Sequence, residues 1–443
     1  MKRSVWRFLF ISEEIRNRLL ITLGLLVLYR LAAHVPVPGV NRAAIASILN
    51  QSGGGALINL LDLLSGGTVS NFSVLAMGVY PYITAQIILQ LLVPIIPSLQ
   101  ARMDEDPREG RKWMEKWTYY LAVPMAALQA VGQIRLFQQF ASGQNVLGFA
   151  LGANLQTLTT IVTMTAGTMF AIWLGELISE YGIRNQGLSL IIFAGIVARI
   201  PSNVGRLMTD ETVRVPLSIF LLVLTAATIF VIVYVQEGRR NVPVMYPGRR
   251  VGNRMSMPVK GSLPLMVNMA GMIPLIFAQS LLTFPAVVAQ FFIGSSNQII
   301  QSVAVWLQTN FGGISSTYWI MYFVMVVGFT FFYTDVLFTQ QNYGENLKRA
   351  GAQVPGVTKG AQTQRYLTRV LRRITLPGAL LLGIVAIMPF LVGVIYPIAG
   401  SQSSLLLVSS AGLLIVVGVV RDTYRSIEAE LKLRGYDSAL LVR

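Results

Sequence analysis

The side chains that ordinarily do chemistry are few in this sequence and badly placed for it. The only histidine is His34 and there is no cysteine. Thiolate nucleophiles, disulfides and thiolate metal sites are therefore excluded, and one imidazole cannot build a zinc cage or serve a serine nucleophile together with a second histidine role. No catalytic residue, metal or cofactor is expected. No G-x-x-x-x-G-K-[ST] stretch occurs, so any ATP-driven step must be supplied by a partner. Ionisable residues deep in apolar spans would mark an ion-coupled pathway, because each costs roughly 2.5–3.5 kcal/mol at the bilayer centre. Arg30, Arg135, Glu176 and Asp335 fall near the ends of apolar stretches, where snorkelling or headgroup contact accounts for them.

Other patterns are apolar. Ile83 and Ile87 stand one helical turn apart, as do Leu188 and Ile192, a spacing that is ordinary packing when taken alone. Thr84, Gln86 and Gln90 add scattered polarity beside the first pair, and Pro81 is a potential kink. The run LIIFAGIVA carries small residues suited to close helix contact. The stretch LPLMVNMAGMIPLIFAQSLLTFP holds Pro264, Pro274, Pro285, Gly271, Asn268 and Gln279. It reads as a broken, cavity-lining or moving helix, with a merely kinked structural helix as the alternative. Residues 57–64 are apolar apart from Asn59 and Asp62 and break at Gly66-Gly67. Too short to span, they fit either an amphipathic helix on the outer surface or a re-entrant plug.

The elements that must position these residues belong to a bilayer. Of 443 residues, 54% are hydrophobic and 12% charged, with a mean hydropathy of +0.61, values foreign to a soluble domain. Apolar stretches near the ~20 residues needed to cross hydrocarbon lie at about 19–36, 74–97, 117–137, 155–178 and 187–205, then 215–235, 264–293, 317–338, 374–399 and 404–424. Lys and Arg crowd alternate connections, as the positive-inside rule demands. The sparse side holds only Arg42, Arg199, Arg206 and Arg214. The expected architecture is thus all-α, ten transmembrane helices with both termini cytoplasmic, and no cleavable signal is expected in the opening MKRSVWRFLF. Five spans in each half imply that any duplication is inverted. The expected units are a cytoplasmic amphipathic N-terminus at 1–18, a first half at 19–205 with the surface-helix or plug segment at 57–73, a second half at 206–424 and a tail at 425–443. The basic connections 236–263 and 339–373 are longer than neighbouring helices require and fit docking surfaces or a positive patch facing anionic lipid. The +16 charge is read as these loops facing lipid or an RNA-bearing partner.

Several strings together resemble the SecY family: LLSGGTVSNFSVLAMGVYPYITAQIILQLL, GLSLIIFAGIVARIP, VNMAGMIPLIFAQSLL, ENLKRAGAQVPGV and LLIVVGVVRDTY. They occur in family order across most of the chain. The resemblance implies a protein-conducting channel in the cytoplasmic (inner) membrane, with two inverted five-helix halves around a central pore. Such a channel translocates unfolded secretory proteins and releases hydrophobic segments laterally into lipid. Position by position, it implies a pore ring of Ile83, Ile87, Leu188, Ile192, Ile276 and Ile415. It implies a plug built from Leu60, Leu61, Asp62, Leu63, Leu64, Ser65, Gly66 and Gly67. The lateral gate would carry Gln129 and Asn268, and a hydrogen bond between them would favour closure by about 0.6 kcal/mol, up to 1–2. Partner docking would fall on Arg239, Arg240, Arg249, Arg250, Lys348, Arg349 and Lys359. The implied partners are SecE-like and SecG-like small subunits, the SecA motor ATPase, the ribosome, secretory preproteins and nascent membrane proteins. The chain departs from the family in one loop, where P-G-I-R-P-G becomes Pro355, Gly356, Val357, Thr358, Lys359 and Gly360. Lys359 keeps a charge nearby but not arginine's planar fork. The GIRNQGLS loop is one residue longer than the family's commoner pattern. The rivals are a secondary transporter with inverted repeats, for which no paired carboxylates are found, and an insertase or intramembrane protease, for which no aspartate pair or HExxH is found.

Overall fold

The computed structural model describes residues 13–39, 72–140, 154–198, 200–201, 214–391 with short gaps inside 248–258, 290–296 and 313–314 and at 389, and 410–433. The described helices of the first half are α1 (Glu13–Ala32), α2 (Tyr80–Ile95), α3 (Pro97–Glu105), α4 (Pro107–Phe140), α5 (Leu155–Tyr181) and α6 (Gly187–Val197). Those of the second half are α7 (Arg214–Glu237), α8 (Ile273–Ala289), α9 (Gln298–Phe311), α10 (Ser316–Gln340), α11 (Tyr343–Arg349), α12 (Ala361–Ala386) and α13 (Ser410–Leu433). Each of the ten expected apolar stretches carries a helix. By length and composition alone, α5 and the helix starting at Ser316 can cross hydrocarbon.

Within the first half α2 packs on α4, α4 on α5, and α5 on both α1 and α6; within the second α8 packs on α10, α10 on α12, and α13 on α7 and α12. The halves meet where α6 touches α13 and where α8 touches α2 and α4. Close approach has a glycine basis: a Cβ on Gly187 would overlap the Gly175 carbonyl oxygen, and one on Gly167 the Val74 carbonyl oxygen. Such small-residue contacts matter in lipid, where burial gives little driving force and van der Waals packing supplies the cohesion. At one end α13 ties the bundle together. Its Glu430 lies 3.5 Å from Arg18 of α1, and its Arg425 lies 2.7 Å from Glu237 of α7.

Four expectations are corrected. The fold is mostly helical but not all-α, because loop 236–263 is largely an antiparallel ribbon. Strand β1 (Arg239–Tyr246) pairs with β4 (Val259–Met266), Val242 opposite Leu263, while the short β2 (Arg250–Val251) and β3 (Arg254–Met255) pair beyond them. Alternation explains it: Val242, Val244 and Leu265 turn inward while their neighbours face out. Loop 339–373 is likewise partly helical, since it contains α11 and α12 already begins at Ala361. Finally, the stretch 264–293 is not one broken helix. Pro264 lies in β4, Gly271 (φ +65°) turns the chain, and Pro274 sits in the first turn of α8, where a missing N–H costs nothing. The same logic places Pro81 in the first turn of α2 rather than at a kink. Helix α9 was not expected. Asn297 caps it by accepting from the Ile299 N–H at 3.1 Å, and its Ile299, Val303 and Trp306 are exposed.

Candidate functional site

Four helices from both halves bring the expected ring residues to one place. Ile192 (α6), Ile276 (α8) and Ile415 (α13) are buried in a single apolar cluster, with Ile83 (α2) and Leu188 (α6) packed against it. Ile87 lies in an adjoining cluster with Ala270, Phe277 and Tyr333, and Ile83 touches both. The structure therefore places five of the six in one large apolar cluster, which also holds Tyr29, Ala171 and Ile178, and Ile87 in the adjoining one. Met272, which sequence reasoning did not name, lies in the same cluster and packs its sulfur toward Gly418 of α13.

The flank is where α2 and α4 face α8, and it is polar as well as aromatic. Phe277 meets Phe329 and Tyr333 edge-on, with centroids 6.1 and 5.6 Å apart. Tyr80 donates across the halves to the Ser280 carbonyl at 3.4 Å. Gln129 and Asn268 are both buried, but they do not bond one another. Gln129 Nε2 donates to Thr84 Oγ1 at 3.3 Å within the first half, and its Oε1 has no partner among the described residues. Asn268 closes a local turn: its Nδ2 donates to the Gly271 carbonyl and its Oδ1 accepts from the Gly271 N–H, both at 3.0 Å. The expected gate bond is absent because the positive-φ turn before α8 uses both ends of the Asn268 amide. Tyr80, Phe277 and Tyr333 went unnamed, since aromatic residues in apolar helices give no signal of which neighbour they meet.

The residues expected to form a plug, Leu60, Leu61, Asp62, Leu63, Leu64, Ser65, Gly66 and Gly67, lie outside the described residues, as do 1–12 of the N-terminal segment and 434–443 of the tail. The backbone on either side of that segment is joined: Val37 N–H donates to the Phe72 carbonyl at 3.2 Å and Val74 N–H to the Val35 carbonyl at 2.9 Å. Both ends of the intervening stretch are thus anchored together.

The two basic connections form one body. Val242, Val244 and Leu265 of the ribbon share a core with Leu347 of α11, Ala352, Val354 and Leu367 of α12, and Met245 and Gln353 exchange backbone bonds at 2.8 and 2.9 Å. Arg239, Arg240, Lys348, Arg349 and Lys359 are exposed on it. Arg239 pairs with Glu237 at 3.0 Å, and Glu345 serves both Lys348 and Arg349 at 3.7 Å. Arg250 lies in β2, and Arg249 is outside the described residues. Thr358 is exposed and accepts, through its carbonyl, the Thr363 hydroxyl at 2.8 Å. Burial pushes the Glu237 carboxyl up, but Arg239 and Arg425 outweigh it and hold the group below the usual carboxylate range. Among the described residues no group of His, Asp or Glu is arranged to hold a metal.

The family model for SecY matches residues 73–424. The chain belongs to the SecY family. It is 37% identical to the protein translocase subunit SecY of Streptomyces griseus, over 97% of this chain and 98% of that one. To the same subunit of Aquifex aeolicus it is 39% identical, over 97% of each. A solved structure of a protein conducting channel superposes with a TM-score of 0.64 at 18% identity, covering 97% of both chains. A second, of a SecY protein whose plug domain stabilises the closed state, gives 0.62 at 18% identity. The SecY match makes this a membrane-embedded translocase subunit and not an enzyme, which removes the transporter and protease rivals.

Proposed function

We propose that the chain forms a gated pore for unfolded polypeptides, sealed by the collar of Ile83, Leu188, Ile192, Ile276 and Ile415 with Ile87 at its rim. In this reading ten helices span the cytoplasmic membrane as two inverted halves, with both termini cytoplasmic, and secretory proteins pass between the halves. The observation that carries it is that four helices drawn from both halves converge on one apolar cluster. A narrow apolar collar excludes water and hydrated ions, yet it deforms around a passing chain because only packing holds it shut. Hydrophobic segments leave sideways where α2 and α4 face α8, a seam held by the Tyr80 bond to the Ser280 carbonyl and by the cluster of Ile87 and Phe277 rather than by a Gln129–Asn268 bond. The segment 57–73 acts as the plug, within a connection whose flanking residues Val35, Val37, Phe72 and Val74 are joined by backbone bonds.

The joined ribbon and α11 body is the docking platform for a motor ATPase or the ribosome, and small SecE-like and SecG-like subunits complete the assembly. Thr358 sits on that platform where the family carries arginine, so contact there rests on Lys359 and the ribbon arginines.

The cysteine-free background supplies the test. One cysteine is placed at Ile276, and a secretory precursor with single cysteines along its mature region is stalled and oxidised. Disulfides from several successive precursor positions are expected. Capture only by a cysteine in the 339–373 segment, with none at Ile276, would mean that the collar does not conduct protein.

A further inference from the structure

A cavity of about 760 Å³ opens at the foot of α10 and α12, lined by Arg365, Arg369, Arg372 and Arg373 with Leu376 and Phe331. All four arginines are exposed. Arg372 is held by Asp335 of α10, with contacts of 2.8, 3.1 and 3.2 Å. Among the described residues, Arg365, Arg369 and Arg373 have no carboxylate partner. Spaced four residues apart on one helix face, they repel one another. Three uncompensated guanidinium groups around one cavity call for an anion.

The rest of the helix says which anion. The face that carries Arg365, Arg369, Arg372 and Arg373 continues as Leu376, Leu380 and Ile384, exposed by 52, 40 and 42%. At 1.5 Å per residue, Arg372 and Leu376 are separated by only ~6 Å along the axis. The same face thus changes from cationic to aliphatic within about one turn, and the cavity spans the change with arginines above and Leu376 and Phe331 at its base. A phospholipid has this profile, a phosphate followed by acyl chain. A nucleic acid backbone would leave the exposed aliphatic face and the apolar base without a partner. We propose that this cavity binds the phosphate headgroup of an anionic phospholipid, its acyl chains lying along Leu376, Leu380 and Ile384. The site depends on the chain's being membrane-embedded and not on the collar's conducting protein.

The test uses the full chain, with whatever subunits co-purify, in nanodiscs containing phosphatidylglycerol with a photoactivatable acyl chain. Labelling is expected on α10 and α12 near 331 and 376, competed by unlabelled phosphatidylglycerol but not by phosphatidylcholine or millimolar inorganic phosphate. Each arginine at the surface of an anionic layer is worth about fivefold in affinity, so R369Q should weaken labelling about fivefold. The triple variant R365Q/R369Q/R373Q should weaken it at least tenfold, R365K/R369K/R373K should retain most of it, and R239Q/R240Q should leave it unchanged. Because all these side chains are exposed, no core packing is lost, and an unchanged melting profile identifies a folded variant. Equal labelling in parent and triple glutamine variant would overturn the proposal. Displacement by inorganic phosphate would make it a free-anion site instead. Loss of binding to an RNA oligonucleotide with lipid labelling intact would assign the arginines to RNA.

Discussion

Replacing Ile276 by asparagine probes the proposed collar at the residue that α8 contributes to it. Ile276 is 6% exposed and its cluster neighbours, including Ile192, Ile415 and Met272, are apolar. An asparagine amide placed there finds no hydrogen-bond partner among them. Leaving it unsatisfied costs the closed arrangement about 1–3 kcal/mol, which at tenfold per ~1.4 kcal/mol shifts the closed-to-open ratio roughly five- to hundredfold. The polar side chain also lowers the penalty for wetting the constriction. Ion release from proteoliposomes without precursor should therefore rise markedly for Ile276→Asn. Leu282→Asn is the control: Leu282 lies on the same helix and is 2% exposed, but it packs in a separate cluster with Tyr318 and Val326. It should cost comparable stability without leak. Equal leak in the two variants would show that loss of stability, not the collar, governs permeability, and no leak in either, with normal insertion, would remove the collar as the seal.

Other consequences are as direct. In a cycle of Gln129→Ala and Asn268→Ala, thermal unfolding should give additive effects within about 0.5 kcal/mol, since the two amides serve different partners; a coupling above 1 kcal/mol would restore a direct gate bond. Gly187→Ala should lower the melting temperature sharply because its Cβ meets the Gly175 carbonyl, whereas Gly24→Ala, with nothing within 4 Å, should leave it unchanged. Val354→Asp buries a charge in the core shared by ribbon and α11 at roughly 3 kcal/mol or more, so limited proteolysis should then cut both loops together, and cleavage of one alone would separate them. Glu237, held low by Arg239 and Arg425, contributes stability that is complete above its unfolded value of about 4.3 and is lost as pH falls through its lower folded value. Glu237→Gln should flatten that acid limb of the melting curve, with at most about 1 kcal/mol lost at neutral pH because the pair is partly exposed.

How far the sequence could be read depended on whether a feature is periodic, local or long-range. Hydropathy located ten apolar stretches, each of which carries a helix, because long apolar runs are a signal that composition reports directly. Proline was harder. Pro81 and Pro274 read as breakers inside helices when they stand in the first turns of α2 and α8, and the difference lies in where the helix begins, which apolar composition conceals. The Asn268 turn was in principle legible, since an asparagine three residues before a glycine is turn chemistry, but inside an apolar run its amide suggested a distant partner instead. The ribbon had its signal too, in the alternation of Val242 and Val244 against Leu263 and Leu265, obscured by the arginines and prolines that made the segment read as a loop.

Long-range pairing marks the point where one sequence stops informing. Nothing in the strings around Met245 and Gln353 states that they exchange backbone bonds, yet that contact turns two basic loops into one platform. The ribbon leads through Asn268 and Gly271 into α8, which carries Ile276 to the apolar cluster shared by both halves and Phe277 to the cluster beside it; in the proposed function, a partner docked on α11 would also meet the ribbon. The turn that consumes the Asn268 amide therefore joins the ribbon to α8 and leaves no amide group to bond Gln129. Six residues, 267–272, separate β4 from α8, and that helix contacts α2 and α4 of the other half. In the proposed function, docking at the platform and parting of the halves would act through this single helix.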